Sequence, residues 1–162
     1  MHIGPVVNKA QFDKIQGLIQ QAIDEGATVL TGGPGLPDSV NRGYYIRPTV
    51  LTDVTPAMTI WREETFGPVS PIIAFRDVDH AIAIANGTAY GLSSSVCSNR
   101  MDVITRFVNE LNVGTVNVRE VPGYRLELTP FGGIKDSGLG YKEGVQEAMK
   151  SFTNIKTYSL PW

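Results

Sequence analysis

Helical and extended patterns take turns along the chain, and this alternation constrains the fold more than any other feature. Apolar residues recur at near-helical spacing in several segments, and a short apolar run follows each of them. Helices of this kind cover a sheet with their apolar stripes, and mostly apolar strands indicate burial on both faces. The order therefore predicts an α/β fold with a parallel-rich sheet flanked by helices.

Four helices are predicted from apolar spacing and capping residues. The first covers 9 to 25, because Asn8 can cap its start and Gly26 suits the left-handed residue that follows a helix. The second runs from Asp77 to Asn86. The third follows a cap at Ser98 or Asn99 and has the clearest apolar stripe. The fourth lies around Glu143 to Ser151.

Six extended segments lie between and after these helices. The first, "ATVLTGG", is predicted to be a short buried strand, and the stretch between "VGTVNV" and Gly140 is predicted to be a loop. The other extended segments are "GYYIRPTVLTDV", Val69 to Phe75, "YGLSSSVCS", "VGTVNV" itself and "TNIKTYSL". No internal repeat or linker divides the chain, so residues 1–162 are predicted to form one domain.

Composition and charge limit the classes of partner. A content of 42% hydrophobic and 19% charged residues is typical of a soluble globular domain. A net charge of −2 gives no positive electrostatic potential that would attract nucleic acid or an acidic membrane surface, so neither is expected as a partner. No apolar run approaches the roughly 20 residues of a membrane span. With one cysteine and no apolar leader, the sequence predicts a cytoplasmic protein.

The segment Pro130 to Gly144, "PFGGIKDSGLGYKEG", is the strongest candidate for a ligand-binding loop. Its glycines include the spacing G-x-G-x-x-x-G, which is close to that of a loop that holds a dinucleotide pyrophosphate. The nucleotide fingerprint also needs a strand before the first glycine, and Pro130 interrupts any such strand. A phosphate site therefore stays open on spacing alone but is the less favoured interpretation.

No complete catalytic set emerges from residue types and spacing. Cys97 lies inside a predicted strand, which favours a structural cysteine over a nucleophile. The two histidines and Cys97 have no metal-site spacing, so no metal ligands are predicted. Arg125, beside Tyr124, could grip an anion through its fork of donors or lie solvated in its loop.

Several motifs in order resemble the C-terminal part of the aldehyde dehydrogenase superfamily. They are "EETFGPV", "AIAIANGTAYGLSSSV", "VGTVNV" and "PFGGIKDSGLGYKEG", preceded by "IGPVVNKAQFDKIQGLIQQAIDEGATVLTGG" and "GYYIRPTVL". The second half is most similar to phosphonoacetaldehyde dehydrogenases, and the first half is more similar to betaine-aldehyde and general aldehyde dehydrogenases. The resemblance implies a truncated aldehyde dehydrogenase catalytic domain.

The resemblance also implies roles for individual residues. In this family the residue matching Glu64 hydrogen-bonds the ribose on the nicotinamide side of NAD or NADP, and the residue matching Phe66 helps to place the ring. The residue matching Phe131 lines the aldehyde pocket, and the one matching Arg125 would hold the phosphonate of an anionic aldehyde. The final strand, about 153–160, resembles the arm that joins subunits by extending a sheet.

The same resemblance implies that other parts of the mechanism lie outside these 162 residues. The family's cysteine nucleophile, its water-activating glutamate, its oxyanion asparagine and its Rossmann domain have no match here. Two hypotheses follow. The chain is part of an NAD(P)-dependent aldehyde dehydrogenase and is inactive alone, or it is a non-catalytic assembly or binding module on the same scaffold. Expected partners are a small aldehyde and either a second copy, an N-terminal part or a full-length relative.

Overall fold

The computed structural model describes residues 3–161 of the chain. Two compact units are present, Met1–Arg76 and Asp77–Trp162. Each unit mixes helices with small sheets, so the predicted α/β class is confirmed. Whether residues 1–162 act as one domain stays a prediction, and the units are described separately below.

Unit 1 is a three-stranded mixed sheet with one long helix and one short one. β2 is the central strand, antiparallel to β1 and parallel to β3. Its elements are α1 (Lys9–Asp24), β1 (Thr28–Thr31), β2 (Thr49–Thr52), α2 (Thr59–Arg62) and β3 (Val69–Pro71). The helix predicted over 9–25 is confirmed as α1, and the Asn8 side chain caps it by accepting a hydrogen bond from the Gln11 backbone N–H at 2.9 Å.

The core of unit 1 lies between α1 and the sheet. One apolar face of α1 is buried, and Leu51 of the central strand is fully buried beneath it. The buried apolar residues of this unit are Ile15, Leu18, Ile19, Ala22, Ala27, Ile46, Leu51, Val54, Met58 and Ile60. α1 is therefore anchored by its apolar stripe, which leaves its polar face free to contact the loops at its side.

Unit 2 has two small sheets and three helices. β5 and β6 pair in parallel, whereas β7 is antiparallel to both of its neighbours, β4 and β8. The elements are α3 (Val78–Asn86), β4 (Tyr90–Gly91), β5 (Ser93–Val96), α4 (Met101–Glu110), β6 (Thr115–Val118), β7 (Phe131–Lys135), β8 (Gly140–Glu143) and α5 (Val145–Ser151). Arg106 of α4 ties the two longer helices together, because it pairs with Asp79 of α3 at 2.5 Å.

Four local predictions differ from the structure. β1 is mostly exposed because it is the outer strand of its sheet, although "ATVLTGG" predicts a buried strand. The strand predicted from Val69 to Phe75 ends at Pro71. α4 has Arg100 at its N-cap position and no side-chain cap, so neither Ser98 nor Asn99 caps it. Cys97 is exposed, because β5 ends at Val96 and the cysteine lies beyond the packed strand.

The glycine-rich segment from Pro130 to Gly144 also differs from the loop that its sequence predicts. It folds as the β7–β8 hairpin, with Phe131 opposite Glu143. Glycine usually weakens a strand but permits close approach of a second backbone. A Cβ on Gly132 would collide with the carbonyl oxygen of Gly140 on β8. The glycines that suggested a loop are thus needed for pairing.

The predicted final strand, about 153–160, is not a strand in this structure. The segment is irregular and exposed, with Phe152 91% and Ile155 96% accessible. A strand requires a neighbour to satisfy its backbone hydrogen bonds, and the described residues supply none here. Its role as an oligomerisation arm remains a prediction. No helix within residues 3–161 combines the length and apolar character needed to cross a bilayer.

Candidate active site

The four predicted site residues fall into two groups, one in each unit. Glu64 and Phe66 lie in the loop between α2 and β3 of unit 1. Arg125 and Phe131 lie in unit 2, in the loop before β7 and at its first residue. Glu64 and Phe66 are two positions apart in the chain, Arg125 and Phe131 are in contact, and each group is described by itself.

The backbone of the Glu64–Phe66 segment is held by the polar face of α1. Lys14 donates from Nζ to the carbonyl oxygen of Glu64 at 2.9 Å. Gln11 donates from Nε2 to the carbonyl oxygens of Thr65 at 2.9 Å and Phe66 at 3.2 Å. Gln11 and Lys14 are three positions apart, so they lie on the same side of the helix. Two helix side chains therefore satisfy three consecutive loop carbonyls.

The side chains of this segment are left free by that arrangement. The Glu64 side chain is exposed, and its carboxylate has no hydrogen-bond or ion-pair partner among residues 3–161. Phe66 is 73% exposed and has a φ of 48°, a left-handed conformation that few non-glycine residues adopt. A backbone fixed in this way presents an open carboxylate and an open aromatic ring two residues apart.

An exposed carboxylate and an exposed aromatic ring offer two different kinds of contact to a ligand. A carboxylate accepts two hydrogen bonds, which matches the adjacent hydroxyls of a ribose. An exposed phenyl ring offers a flat apolar surface for an aromatic base. Within residues 3–161, no group of three His, Cys, Asp or Glu side chains is placed to hold a metal ion.

In unit 2, Arg125 lies on a cross-strand pair of the hairpin. The guanidinium carbon of Arg125 is 4.9 Å from the centroid of the Phe131 ring, a cation–π distance. The Nη1 atom of the same guanidinium pairs with Oε2 of Glu143. Because Phe131 and Glu143 are directly opposite on β7 and β8, one arginine contacts both members of the pair.

A cleft of about 170 Å³ opens beside this arginine. The residues lining it are Thr115, Asn117, Tyr124, Arg125, Leu126, Thr129, Pro130 and Phe131. Asn117 holds the loop that forms one wall, because its Nδ2 donates to the carbonyls of Val121 at 3.0 Å, Pro122 at 3.2 Å and Tyr124 at 3.1 Å. The cleft thus combines an apolar ring, hydroxyl and amide groups, and one cation.

Sequence reasoning missed the residues that support both groups. Gln11 and Lys14 lie 54 and 50 residues before the carbonyls they bind, so no local pattern connects them. Glu143 becomes a partner of Arg125 only through the register of β7 and β8. A hairpin prediction that aligned Phe131 with Glu143 would have been the one signal available.

Comparison with known proteins places these features in context. The sequence model of the aldehyde dehydrogenase family matches residues 1–158. A Staphylococcus saprophyticus protein named as an aldehyde dehydrogenase is 42% identical over 155 residues, which are 96% of this chain and 32% of that protein.

Solved structures of aldehyde dehydrogenases also superpose on this chain. The aldehyde dehydrogenase of Bartonella henselae superposes with a TM-score of 0.86 at 48% identity, over 93% of this chain and 31% of its own. A Mycobacterium tuberculosis aldehyde dehydrogenase complexed with NAD+ superposes with a TM-score of 0.89 at 38% identity, over 98% of this chain and 32% of its own. The chain spans about a third of the length of these relatives.

Proposed function

The chain belongs to the aldehyde dehydrogenase family, and from this premise we propose that it supplies the C-terminal part of the catalytic domain of an NAD(P)-dependent enzyme that oxidises an aldehyde to a carboxylic acid. The observation that supports this most directly is the Glu64–Phe66 segment. Its carbonyls are bound by α1, and its two functional side chains are open to solvent. Such an arrangement suits a coenzyme contact better than a core contact.

Glu64 would bind the ribose on the nicotinamide side of NAD or NADP. Its two carboxylate oxygens can accept both hydroxyl protons, which orients the sugar and the ring attached to it. Phe66 would limit the positions open to that ring. When bound, the coenzyme supplies the hydride acceptor for aldehyde oxidation. Gln11 and Lys14 would act indirectly, by keeping the loop backbone in one conformation.

Phe131 and Arg125 would form part of the aldehyde pocket. The Phe131 ring supplies an apolar wall, and the guanidinium of Arg125 supplies a positive charge at the cleft. An aldehyde bearing a phosphonate or a similar anionic group would suit this pair, because a guanidinium donates two parallel hydrogen bonds to such oxygens.

Coenzyme binding provides the direct test of Glu64. NAD+ is titrated against the purified chain, and contacts to its ribose protons are followed by saturation-transfer NMR. Because hydrogen bonds to a charged acceptor contribute about 1.5–3 kcal/mol, Glu64→Gln should weaken binding by roughly 10- to 100-fold. Glu63→Gln is the matched control, since Glu63 is the adjacent exposed carboxylate and has no proposed role.

A second arm uses a chimaera in which this chain replaces the matching third of a family relative. There the same substitutions are measured through the Michaelis constant for NAD+. Equal effects of Glu63→Gln and Glu64→Gln in both arms would refute the assignment of Glu64. We also propose that the 162 residues alone produce no NADH from aldehydes. Turnover that survives Cys97→Ser but is lost on Glu64→Ala would contradict this.

The exposed C-terminal segment favours a second candidate function, that of an assembly module. Residues 152–161 are irregular and exposed, with no strand partner among the described residues, and their large apolar side chains are accessible: Phe152, Ile155, Tyr158 and Leu160. Such a segment suits pairing with another copy, an N-terminal part or a full-length relative. Light scattering should show self-association that is lost when residues 152–162 are removed, and a monodisperse monomer at high concentration would exclude pairing between copies of this chain.

A further inference from the structure

Arg125 is already engaged by a carboxylate in the structure, and this has consequences for the ligand it can take. Its Nη1 atom pairs with Glu143, while Nε and Nη2 have no hydrogen-bond partner among residues 3–161. The Arg125 and Glu143 side chains are 51% and 58% exposed. The ion pair is therefore open to solvent and can exchange partners without unfolding the hairpin.

Glu143 is held in place by the backbone on both sides of it. It ends β8 opposite Phe131, and Gly144 follows with a φ of 91°. A Cβ at Gly144 would lie 2.5 Å from the carbonyl oxygen of Thr129, so this turn is packed against the loop that precedes β7. The next residue continues the contact, because the Val145 N–H donates to the carbonyl of Glu127 at 3.2 Å.

This placement gives Glu143 a defined effect on the cleft. Alone, Arg125 would give the cleft one positive charge, but paired with Glu143 the two side chains have no net charge. An incoming anion would meet the free Nε and Nη2 edge of the guanidinium while Glu143 still occupies Nη1. The anion and Glu143 would then repel each other on one guanidinium, and a bidentate anion that needs Nη1 would have to displace Glu143.

We propose that Glu143 is a specificity-determining residue that competes with the anionic group of the substrate for Arg125. A neutral aldehyde enters the cleft without disturbing the pair, whereas a phosphonate-bearing or carboxylate-bearing aldehyde must share the guanidinium or displace Glu143. This rests on the proposed substrate role of Arg125. It adds a residue that weakens anion binding and so widens the range of aldehydes accepted.

Anion binding to the full chain tests this directly, with methylphosphonate as the probe. The probe is titrated against the 15N-labelled chain, and the affinity is taken from the amide shifts of Phe131 and Glu143 and the Nε–H shift of Arg125. Because exposed ion pairs are worth about 0.2–1 kcal/mol, Glu143→Gln should bind methylphosphonate about two- to fivefold more tightly than the wild type. Glu143→Ala should change the affinity in the same direction.

Two further variants separate the possible causes. Glu127→Gln removes the same charge from the loop that carries Arg125, but Glu127 has no side-chain partner among the described residues, so little change is expected. Arg125→Gln should abolish the saturable shifts. Acetamide, a neutral probe, should bind all variants alike.

The outcomes distinguish the inference from the function on which it rests. If Arg125→Gln abolishes binding but Glu143→Gln and Glu143→Ala match Glu127→Gln, Glu143 does not compete and the proposal is wrong, while the anion site stands. If no variant binds methylphosphonate, the anion role of Arg125 fails as well. The coenzyme role of Glu64 is unaffected by either result, because the NAD+ titration tests it separately.

Discussion

Lys135 connects the β7–β8 hairpin to the end of α3, and its removal should weaken the unit that contains the cleft beside Arg125. Its Nζ donates to three backbone carbonyls, those of Asn86 at 3.0 Å, Thr88 at 3.0 Å and Tyr90 at 3.3 Å. Two of these carbonyls lie at or just beyond the C-terminus of α3, where a cation is also favoured by the helix dipole. One half-buried ammonium thus satisfies three acceptors.

The substitution Lys135→Met keeps the length of the side chain but removes its donors. A hydrogen bond to a charged group contributes about 1.5–3 kcal/mol, and the three share one ammonium, so we expect a loss of about 2–3 kcal/mol in the free energy of unfolding. With a urea dependence of about 1–3 kcal/mol per M, the unfolding midpoint should fall by about 1 M. Circular dichroism during urea titration measures this.

The control for this experiment is Lys142→Met on the neighbouring strand. Lys142 is exposed on β8 and has no hydrogen-bond partner among the described residues, so its substitution removes the same charge without breaking contacts. If the two variants unfold within about 0.5 kcal/mol of each other, the three carbonyl contacts do not stabilise the hairpin and the reasoning is refuted.

Three further predictions concern other parts of the chain. Leu51→Ala, at a fully buried position, should destabilise the chain by about 2–5 kcal/mol, and an effect no larger than that of Leu30→Ala on exposed β1 would contradict this. Gly144→Ala should be destabilising by more than about 1 kcal/mol, because φ is 91° and a Cβ would meet a loop carbonyl; an unchanged melting temperature would exclude such strain. The backbone N–H and hydroxyl of Thr59 lower the pKa of Glu25. The stabilisation of the fold by the Glu25 carboxylate is therefore present above the ordinary glutamate pKa of about 4.3 and is lost as pH falls through the lowered pKa. The difference in melting temperature between wild type and Glu25→Gln should vanish in acid.

Local signals in the sequence were sufficient for most helices. Asn8 and the apolar stripe after it locate α1, because a helix start depends on a cap and a helix face depends on spacing within one segment. Ser98 and Asn99 are both capping residues and predict the wrong start for α4, because the structure has Arg100 at the N-cap position without a side-chain cap. Boundaries without a capping bond leave no sequence signal.

Strand pairing and site support depended on distant residues and could not be predicted. The glycines of the β7–β8 hairpin suggest a loop until their partners across the hairpin are known. Glu64, Phe66, Arg125 and Phe131 came from the family resemblance, and their roles stay predictions. The structure adds the residues that contact them. Gln11 and Lys14 bind the backbone of the Glu64–Phe66 segment, and Glu143 forms an ion pair with Arg125.

The left-handed backbone of Phe66 has a consequence for how this chain would evolve. A phenylalanine at a φ of 48° costs about 1–2 kcal/mol relative to an allowed conformation, and glycine or asparagine would relieve much of that strain. Libraries randomised at this position and selected only for thermal stability should therefore drift towards Gly or Asn. Libraries selected in the chimaera for growth on an aldehyde should retain an aromatic residue, so the divergence between the two pools would measure what the ring contributes beyond folding.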